Sequence, residues 1–311
     1  MNFAIIFPGQ GNYNKKKIIK LYKSSIIIRK TFEKSSDIIK YNIWKNVQET
    51  SIEKIKNRYL QPIIITISIA IYKLWKSIYS KNPRFMSGHS IGEYSALICS
   101  NSINLKTGLV LSKKRGKLLE KSSINRKIST QIIFGFTEKK ILKICKKYSN
   151  NKIAEISSIN EKKIIVISGD SSIVRKVVKK CNKNSKIKTS KLPIKVPIHC
   201  RIVNSIKKKY LKILKKISFN KPNCKIINNL NAKNLNNKNT ISNYLYKQLY
   251  KTVRWKECID YIIKKNIKLF LEISTKKILF NKKNKNIKTI TLNNKKNMLI
   301  ALKEIKMKKK K

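Results

Sequence analysis

Three residues at separate places in this chain carry most of its reactive potential. Ser90 lies in Gly88-His89-Ser90-Ile91-Gly92, a G-x-S-x-G pattern. Glycines on both sides permit a sharp turn that pushes a serine oxygen out to where a substrate carbonyl can reach it. A serine hydroxyl is a weak nucleophile and needs a base. The chain holds only two histidines. His89 adjoins Ser90 on the turn, where neighbouring side chains diverge, so His199, in "KVPIHCRI", is the candidate base. Serine well before histidine in chain order fits α/β-hydrolase-like chemistry. The third group is not marked. Asp170, Glu257 and Asp260 are available in space, and a backbone carbonyl can equally orient an imidazole. Arg115, in "SKKRGKLLE", is one of eight arginines among far more lysines. Its planar fork can hold a carboxylate through two parallel hydrogen bonds, which lysine cannot reproduce. These residue types point to attack on a carbonyl, in a substrate that also carries a carboxylate.

Such a serine needs a strand before it and a helix after it. "RFMS" (84–87) reads as the strand. "IGEYSALIC" (91–99) reads as the helix, burying Ile91, Ala96, Leu97 and Ile98 and aiming its free N–H groups at the site. "NFAIIF" (2–7) is a second buried strand, stopped by Pro8 and Gly9. Helical periodicity covers 14–42, 61–80 with Pro62 at a first helical position, and 105–120.

The middle of the chain alternates differently. It reads as strand 131–136, helix 137–149, strands 152–159 and 163–169, helix 170–181 and strand 186–194. Thr137 is the expected cap of the first helix, with Ile141, Leu142, Ile144 and Cys145 as its buried stripe. The order β-α-β-β-α-β is the split βαβ arrangement of a ferredoxin-like unit. The fold class expected is therefore α/β: an α/β-hydrolase-like large domain, residues 1–127 and 196–311, with an inserted ferredoxin-like subdomain at 128–195. In the last part, 223–230 and 267–274 read as strands, 241–250 and 255–265 as helices, and 303–311 as a solvated lysine tail.

Composition narrows the partners. Lys+Arg is 74 against 14 for Asp+Glu, a formal net charge of +60. Such an excess suits polyanions. Yet it is almost all lysine and spread along the whole chain, beside abundant isoleucine and asparagine. All three residues belong to A/T-rich codons, so compositional drift explains it better than a dedicated nucleic-acid surface. No C-x₂-C, RNA-binding sheet signature or basic-plus-heptad pattern supports a specific nucleic-acid function. The six cysteines have no metal-ligand spacing and no metal is expected. "MNFAIIFPGQG" lacks the features of a targeting segment, and "PIIITISIAIY" (62–72) meets Lys73 too early to span a bilayer. A cytoplasmic protein with reduced thiols and no membrane association is expected.

Six short motifs occur together and in order: "FPGQG" at 7–11, "GHSIGEYSA" at 88–96, "RGK" at 115–117, "VPIHC" at 196–200, "NN" at 228–229 and "QLY" at 248–250. In these the chain resembles the malonyl-CoA:acyl carrier protein transacylase family, from residue 2 to about 300. The resemblance implies transfer of a malonyl group from malonyl-CoA to the phosphopantetheine thiol of acyl carrier protein, for fatty-acid synthesis. It implies a malonyl-serine intermediate on Ser90, with His199 as base and then acid, and Arg115 on the malonyl carboxylate. It further implies an oxyanion hole from the backbone N–H groups of Gln10 and Ile91, and a Gln248 backbone carbonyl that orients the histidine. No bound cofactor is implied, and a monomer is expected.

Several positions depart from the family pattern. Ile198 stands where a small polar residue is usual before the histidine, which narrows or dries the pocket. "SINEKK" (158–163) keeps only Asn160 of a polar family stretch. "INRKISTQ" (124–131) replaces a glycine-rich segment, and "STKK" (274–277) a Gly-Pro-Gly turn. The nucleophile, base, arginine and both glutamines are retained, so activity is expected. A serine esterase or thioesterase using the same elbow, and a decayed, non-catalytic basic binding protein, are the alternatives.

Overall fold

The computed structural model describes residues 2–11, 14–51, 54–235, 237–276 and 286–307. In chain order β1 (Phe3–Phe7) leads to helices α1 (Lys15–Ser24), α2 (Ile26–Ile39), α3 (Ile43–Glu49) and α4 (Asn57–Ile78). Then come β2 (Phe85–Gly88), α5 (Gly92–Cys99) and α6 (Leu105–Ser122). A second group follows: β3 (Ile128–Phe134), α7 (Glu138–Tyr148), β4 (Ala154–Glu161), β5 (Ile164–Asp170), α8 (Ser171–Asn182) and β6 (Lys188–Leu192). The chain closes with α9 (Asn204–Leu214), β7 (Lys225–Ile226), α10 (Lys238–Gln248), α11 (Trp255–Lys264), β8 (Leu269–Glu272), β9 (Lys288–Thr291) and α12 (Lys295–Met307).

Two separate sheets result. The first is parallel, in the order β7-β2-β1-β8-β9. β1 lies at its centre and is buried at every position, as its unbroken apolar sequence requires for a strand covered on both faces. Alternation on β1 splits it between two cores. Phe3, Ile5 and Phe7 face the large core shared with α1–α6, α9, α10 and α12. Ala4 and Ile6 face a smaller core built with Trp255, Cys258, Ile259 and Ile262 of α11.

The second sheet is antiparallel, in the order β4-β5-β3-β6. Helices α7 and α8 cover one face and give it a core of its own, which includes Ile133, Ile141, Val174 and Val177. Its other face is turned to the site described below. The antiparallel sheet is fastened to the segment between α10 and α11 by a bridge in which Ile159 N–H donates to the Val253 carbonyl and Val253 N–H to the Ser157 carbonyl, both at 2.9 Å.

Local expectations fail in instructive places. Pro62 is inside α4 and not in its first turn, because the helix begins at Asn57. "NRYLQ" looks like a polar lead-in, yet Asn57, Leu60 and Gln61 are buried against α6. Leu142 is 44% exposed and drops out of the α7 stripe, while Thr137 holds the cap position without a capping side-chain bond. The strand expected at 223–230 pairs only over Lys225–Ile226, after which the chain turns at Asn228. The expected lysine tail is helical through Met307, with Met298, Ala301 and Ile305 buried, and Lys308–Lys311 lie outside the described residues. Of "STKK", Lys277 also lies outside them. Among the described residues no helix is long and apolar enough to cross a membrane, and no cluster of His, Cys, Asp and Glu could hold a metal. The six cysteines are free.

Candidate active site

The elbow forms where β2 ends against β1. Ser90 has φ 54°, a left-handed conformation costly for a residue with a Cβ. Two glycines make the turn possible. A Cβ on Gly88 would lie 2.0 Å from the Gly92 carbonyl group, and one on Gly92 would lie 2.6 Å from the Phe7 and Pro8 carbonyl oxygens. Asn229 pins the strained residue from across the sheet. Its Oδ1 accepts from the Ser90 N–H at 2.7 Å, and its Nδ2 donates to the Gly88 carbonyl at 2.7 Å. Helix α5 begins at once, with Ile91 at its cap.

His199 arrives on the segment that follows β6 and is also left-handed, at φ 53°. Its Nε2 is 2.6 Å from Ser90 Oγ, and its Nδ1 is 2.6 Å from the Gln248 carbonyl oxygen. A carbonyl can only accept, so Nδ1 carries the proton and Nε2 is left to accept from the serine hydroxyl. Burial, then the Arg115 charge, push the imidazole down to about 3, so the resting ring is neutral. Asp170, Glu257 and Asp260 are engaged elsewhere. Asp170 accepts from the Ile153 N–H, Glu257 pairs with Arg254 and Asp260 with Lys256.

Arg115 reaches the same place from α6 and is 2% exposed. Nη1 donates to Gln61 Oε1 at 3.0 Å, while Nη2 lies 3.5 Å from both Ser90 Oγ and Gln248 Oε1. Nε has no partner among the described residues. The buried cation therefore meets neutral groups, these oxygens and the Tyr94 ring, whose centre is 5.6 Å from the guanidinium carbon. The glycine that follows it sets its depth, since a Cβ on Gly116 would stand 2.5 Å from the Asn57 carbonyl oxygen and 2.7 Å from Arg58 Cα.

These groups line one cavity of about 290 Å³. Gln10, Ser90, Ile91, Arg115, Ile198 and His199 lie on one wall, and Ile132, Phe134, Ile164 and Val166 of the antiparallel sheet on the other. Alternation explains the second wall. Ile133 points into the core under α7 and α8, so Ile132 and Phe134 point to the cavity. Ile198 adds an apolar surface beside the histidine, as its place in the sequence implies. Gln248 stands behind the histidine. The backbone N–H groups of Gln10 and Ile91 donate to no other described residue.

Sequence reasoning missed four contributors. Gln61 holds Arg115, Asn229 holds the elbow, and Glu93 accepts from Gln248 Nε2 at 2.6 Å. His89 turns away from Ser90, with Nε2 3.0 Å from Ser158 Oγ and 3.1 Å from Asn160 Oδ1, and its ring packs edge-on to Trp255. Burial pushes it down to about 4. Glu93 and Asn229 do stand in the quoted motifs "GHSIGEYSA" and "NN", but nothing in their local sequence told what they touch.

The family described as "Acyl transferase domain" matches residues 4–305. A malonyl CoA-acyl carrier protein transacylase of Buchnera aphidicola subsp. Schizaphis graminum is 40% identical, over 98% of this chain and 99% of its own. The structure of the malonyl CoA-acyl carrier protein transacylase from Coxiella burnetii superposes with a TM-score of 0.91 at 28% identity, covering 97% of each chain. A type II PKS acyl-carrier protein in complex with its malonyl-transacylase gives 0.92 at 28% identity, covering 98% of this chain and 100% of that one. The mixed α/β architecture, with a parallel and a separate antiparallel sheet, is thus that of these enzymes. The chain belongs to the acyl transferase domain family and, within it, to the malonyl CoA-acyl carrier protein transacylases.

Proposed function

We propose that the protein moves a malonyl group from malonyl-CoA to the phosphopantetheine thiol of an acyl carrier protein, supplying fatty-acid synthesis, by a ping-pong route through malonyl-Ser90. The observation that carries this reading is a serine 2.6 Å from a neutral histidine, beside a buried arginine that has no carboxylate in contact among the described residues.

Ser90 Oγ attacks the thioester carbonyl while its proton passes to His199 Nε2. Negative charge on the former carbonyl oxygen is received by the Gln10 and Ile91 N–H groups, which have no acceptor of their own among the described residues. Collapse breaks the C–S bond, and His199 returns the proton to the departing coenzyme A thiolate. The carrier thiol then repeats the sequence in reverse. Arg115 gives specificity by difference. An acetyl chain leaves the guanidinium unpaired, whereas a malonyl carboxylate pairs with it and also removes a positive charge that opposes the imidazolium.

The reaction so written uses side chains of this chain and two thiol carriers, with no bound cofactor. The reaction needs no group from a second copy, and the free cysteines suit the cytoplasm. The strand order β4-β5-β3-β6, fully antiparallel with both helices on one face, supports reading 128–195 as a ferredoxin-like subdomain. The parallel sheet with its serine elbow supports reading 1–127 and 196–311 as an α/β-hydrolase-like domain.

The test is intact-mass analysis after incubation with malonyl-CoA. The wild type should gain one malonyl group and pass it to added holo-carrier protein, and Ser90→Ala should gain none. No serine-dependent adduct would sink the proposal. Free malonate without malonyl-carrier product would assign hydrolysis in its place.

A further inference from the structure

Glu93 is a buried carboxyl to which the acyl-transfer chemistry gives no task. It lies on α5, three residues past the nucleophile, and is 1% exposed. Its Oε2 accepts from Gln248 Nε2 at 2.6 Å, while Oε1 has no partner among the described residues. The same Gln248 amide holds its own Oε1 3.5 Å from Arg115 Nη2. One side-chain amide therefore separates a buried carboxyl, whose Oε1 is left without a partner, from a buried guanidinium that no carboxylate among the described residues touches.

Net charge in such a place is costly, because little solvent reaches it to screen the field. With the site empty, Arg115 and an ionised Glu93 sum to zero. A substrate carboxylate on Arg115 brings in one more negative charge. The guanidinium is then neutralised in contact, its support for Glu93 is lost, and two carboxylates face each other across the Gln248 amide. Neutrality returns if Glu93 takes a proton.

Resting on the acyl-transfer reading above, we infer that Glu93 is a proton acceptor linked to occupation of Arg115. Where the empty site holds Glu93 ionised, loading an acyl chain that bears a free carboxylate moves one proton from solvent to Glu93 Oε1, and loading a chain without one moves none. In that range one negative charge enters and one is cancelled, so the interior keeps the same net charge in both states.

The surroundings agree. Burial raises Glu93 to about 8 in the empty site, with the Gln248 amide, the Asn229 backbone N–H and Arg115 only partly offsetting it. The other ionisable groups that bear on it are Tyr94 on its own helix, Tyr210 on α9 and Cys258 on α11, all pushed up by burial and therefore neutral. β1 and β2 carry no ionisable side chain. Those of α4 have other neighbours: Arg58 meets Glu120, Tyr59 stacks on Tyr41, Tyr72 packs by Phe7, Lys73 faces Lys34 and Lys76 binds the Ser80 carbonyl.

The sign follows. Below the empty-site value Glu93 is already protonated and loading takes up nothing. Above it, the site must gain a proton to load, so malonyl loading falls by up to about tenfold per pH unit. The experiment equilibrates the protein with acyl-CoA and free CoA between about pH 8 and pH 10 and reads acyl-enzyme by intact mass, for wild type and Glu93→Gln. Ionisation of the CoA thiol affects both proteins alike and cancels in their ratio. The wild-type to variant ratio should fall with pH for malonyl and stay flat for acetyl. A flat malonyl ratio, or an acetyl ratio falling in step with it, overturns the inference. Absence of any Ser90 adduct at any pH instead overturns the acyl-transfer reading on which it rests. Wild type alone gives a second readout that needs no folded variant. Calorimetric titration near about pH 9.5, in buffers of different ionisation enthalpy, should show malonyl-CoA taking up close to one proton more than acetyl-CoA. No difference overturns it.

Discussion

Ser90 and His199 are both held in left-handed backbone that neither would choose alone. The strain is opposed by specific bonds: Asn229 to the Ser90 N–H, and Gln248 to the His199 ring. Because the ring is buried and depressed to about 3, it stays a base throughout the neutral range. The profile of kcat/KM for malonyl-CoA should therefore show no inflection near the ordinary histidine value of about 6.5. A half-drop there, measured by stopped assay across mildly acidic buffers, would contradict a buried neutral base. Arg115→Ala should lower kcat/KM for malonyl-CoA by about 10²-fold or more, the loss of a buried charge-assisted pair, while acetyl transfer changes far less. Equal losses for the two substrates would remove the carboxylate clamp. At this scale the sequence was informative where types are rare. Two histidines and eight arginines made His199 and Arg115 stand out. Asn229, Gln61 and Glu93 act across 139, 54 and 155 residues of sequence, and no local pattern encodes such contacts.

The depth of the arginine is a property of two helices. α6 approaches α4 at Gly116, where any side chain would strike the Asn57 and Arg58 backbone. Gly116→Ala should push the helices apart and destabilise the fold by ~1–3 kcal/mol, read as a lower urea midpoint. Because Arg115 is the adjacent residue, malonyl turnover should fall more than acetyl turnover in the surviving folded protein. A variant with unchanged midpoint and unchanged selectivity would show that the contact does not set the position. Elements with an unbroken apolar run or a clean stripe, such as β1, α5 and α7, were readable from their residues. α9 was not noticed, although Ile206, Tyr210 and Leu214 recur at helical spacing, because lysines fill the positions between them. β7 shrank to two residues because Asn228 and Asn229 are needed to turn and to reach the elbow.

Over the whole molecule, 74 basic residues face 14 acidic ones. Self-repulsion of the exposed lysines weakens with added salt, since the screening length falls to about 8 Å at physiological ionic strength. The melting temperature should accordingly rise between low-salt and physiological buffer, and a flat response by calorimetry would show that the charges are already balanced by bound anions. Exposed and buried charge should separate in the kinetics as well. KM for the anionic malonyl-CoA should climb with salt, while the malonyl-to-acetyl preference, set by the 2%-exposed Arg115, should hold. A preference that decays with salt would place the discriminating charge at the surface. The net charge was fully legible in the composition. The division into two sheets was legible in the order of elements, but the bridge that fastens β4 to Val253 was not.

The order of the site residues along the chain has a practical consequence. Ser90, Arg115 and Gln10 precede the exposed turn at Lys162–Lys163 of the inserted sheet, while His199, Asn229 and Gln248 follow it. A cut at that turn would leave one fragment with a nucleophile and no base, and another with a base and no nucleophile. Acyl transfer would then report on the meeting of two polypeptides, which makes the hairpin between β4 and β5 a natural place to build a split reporter.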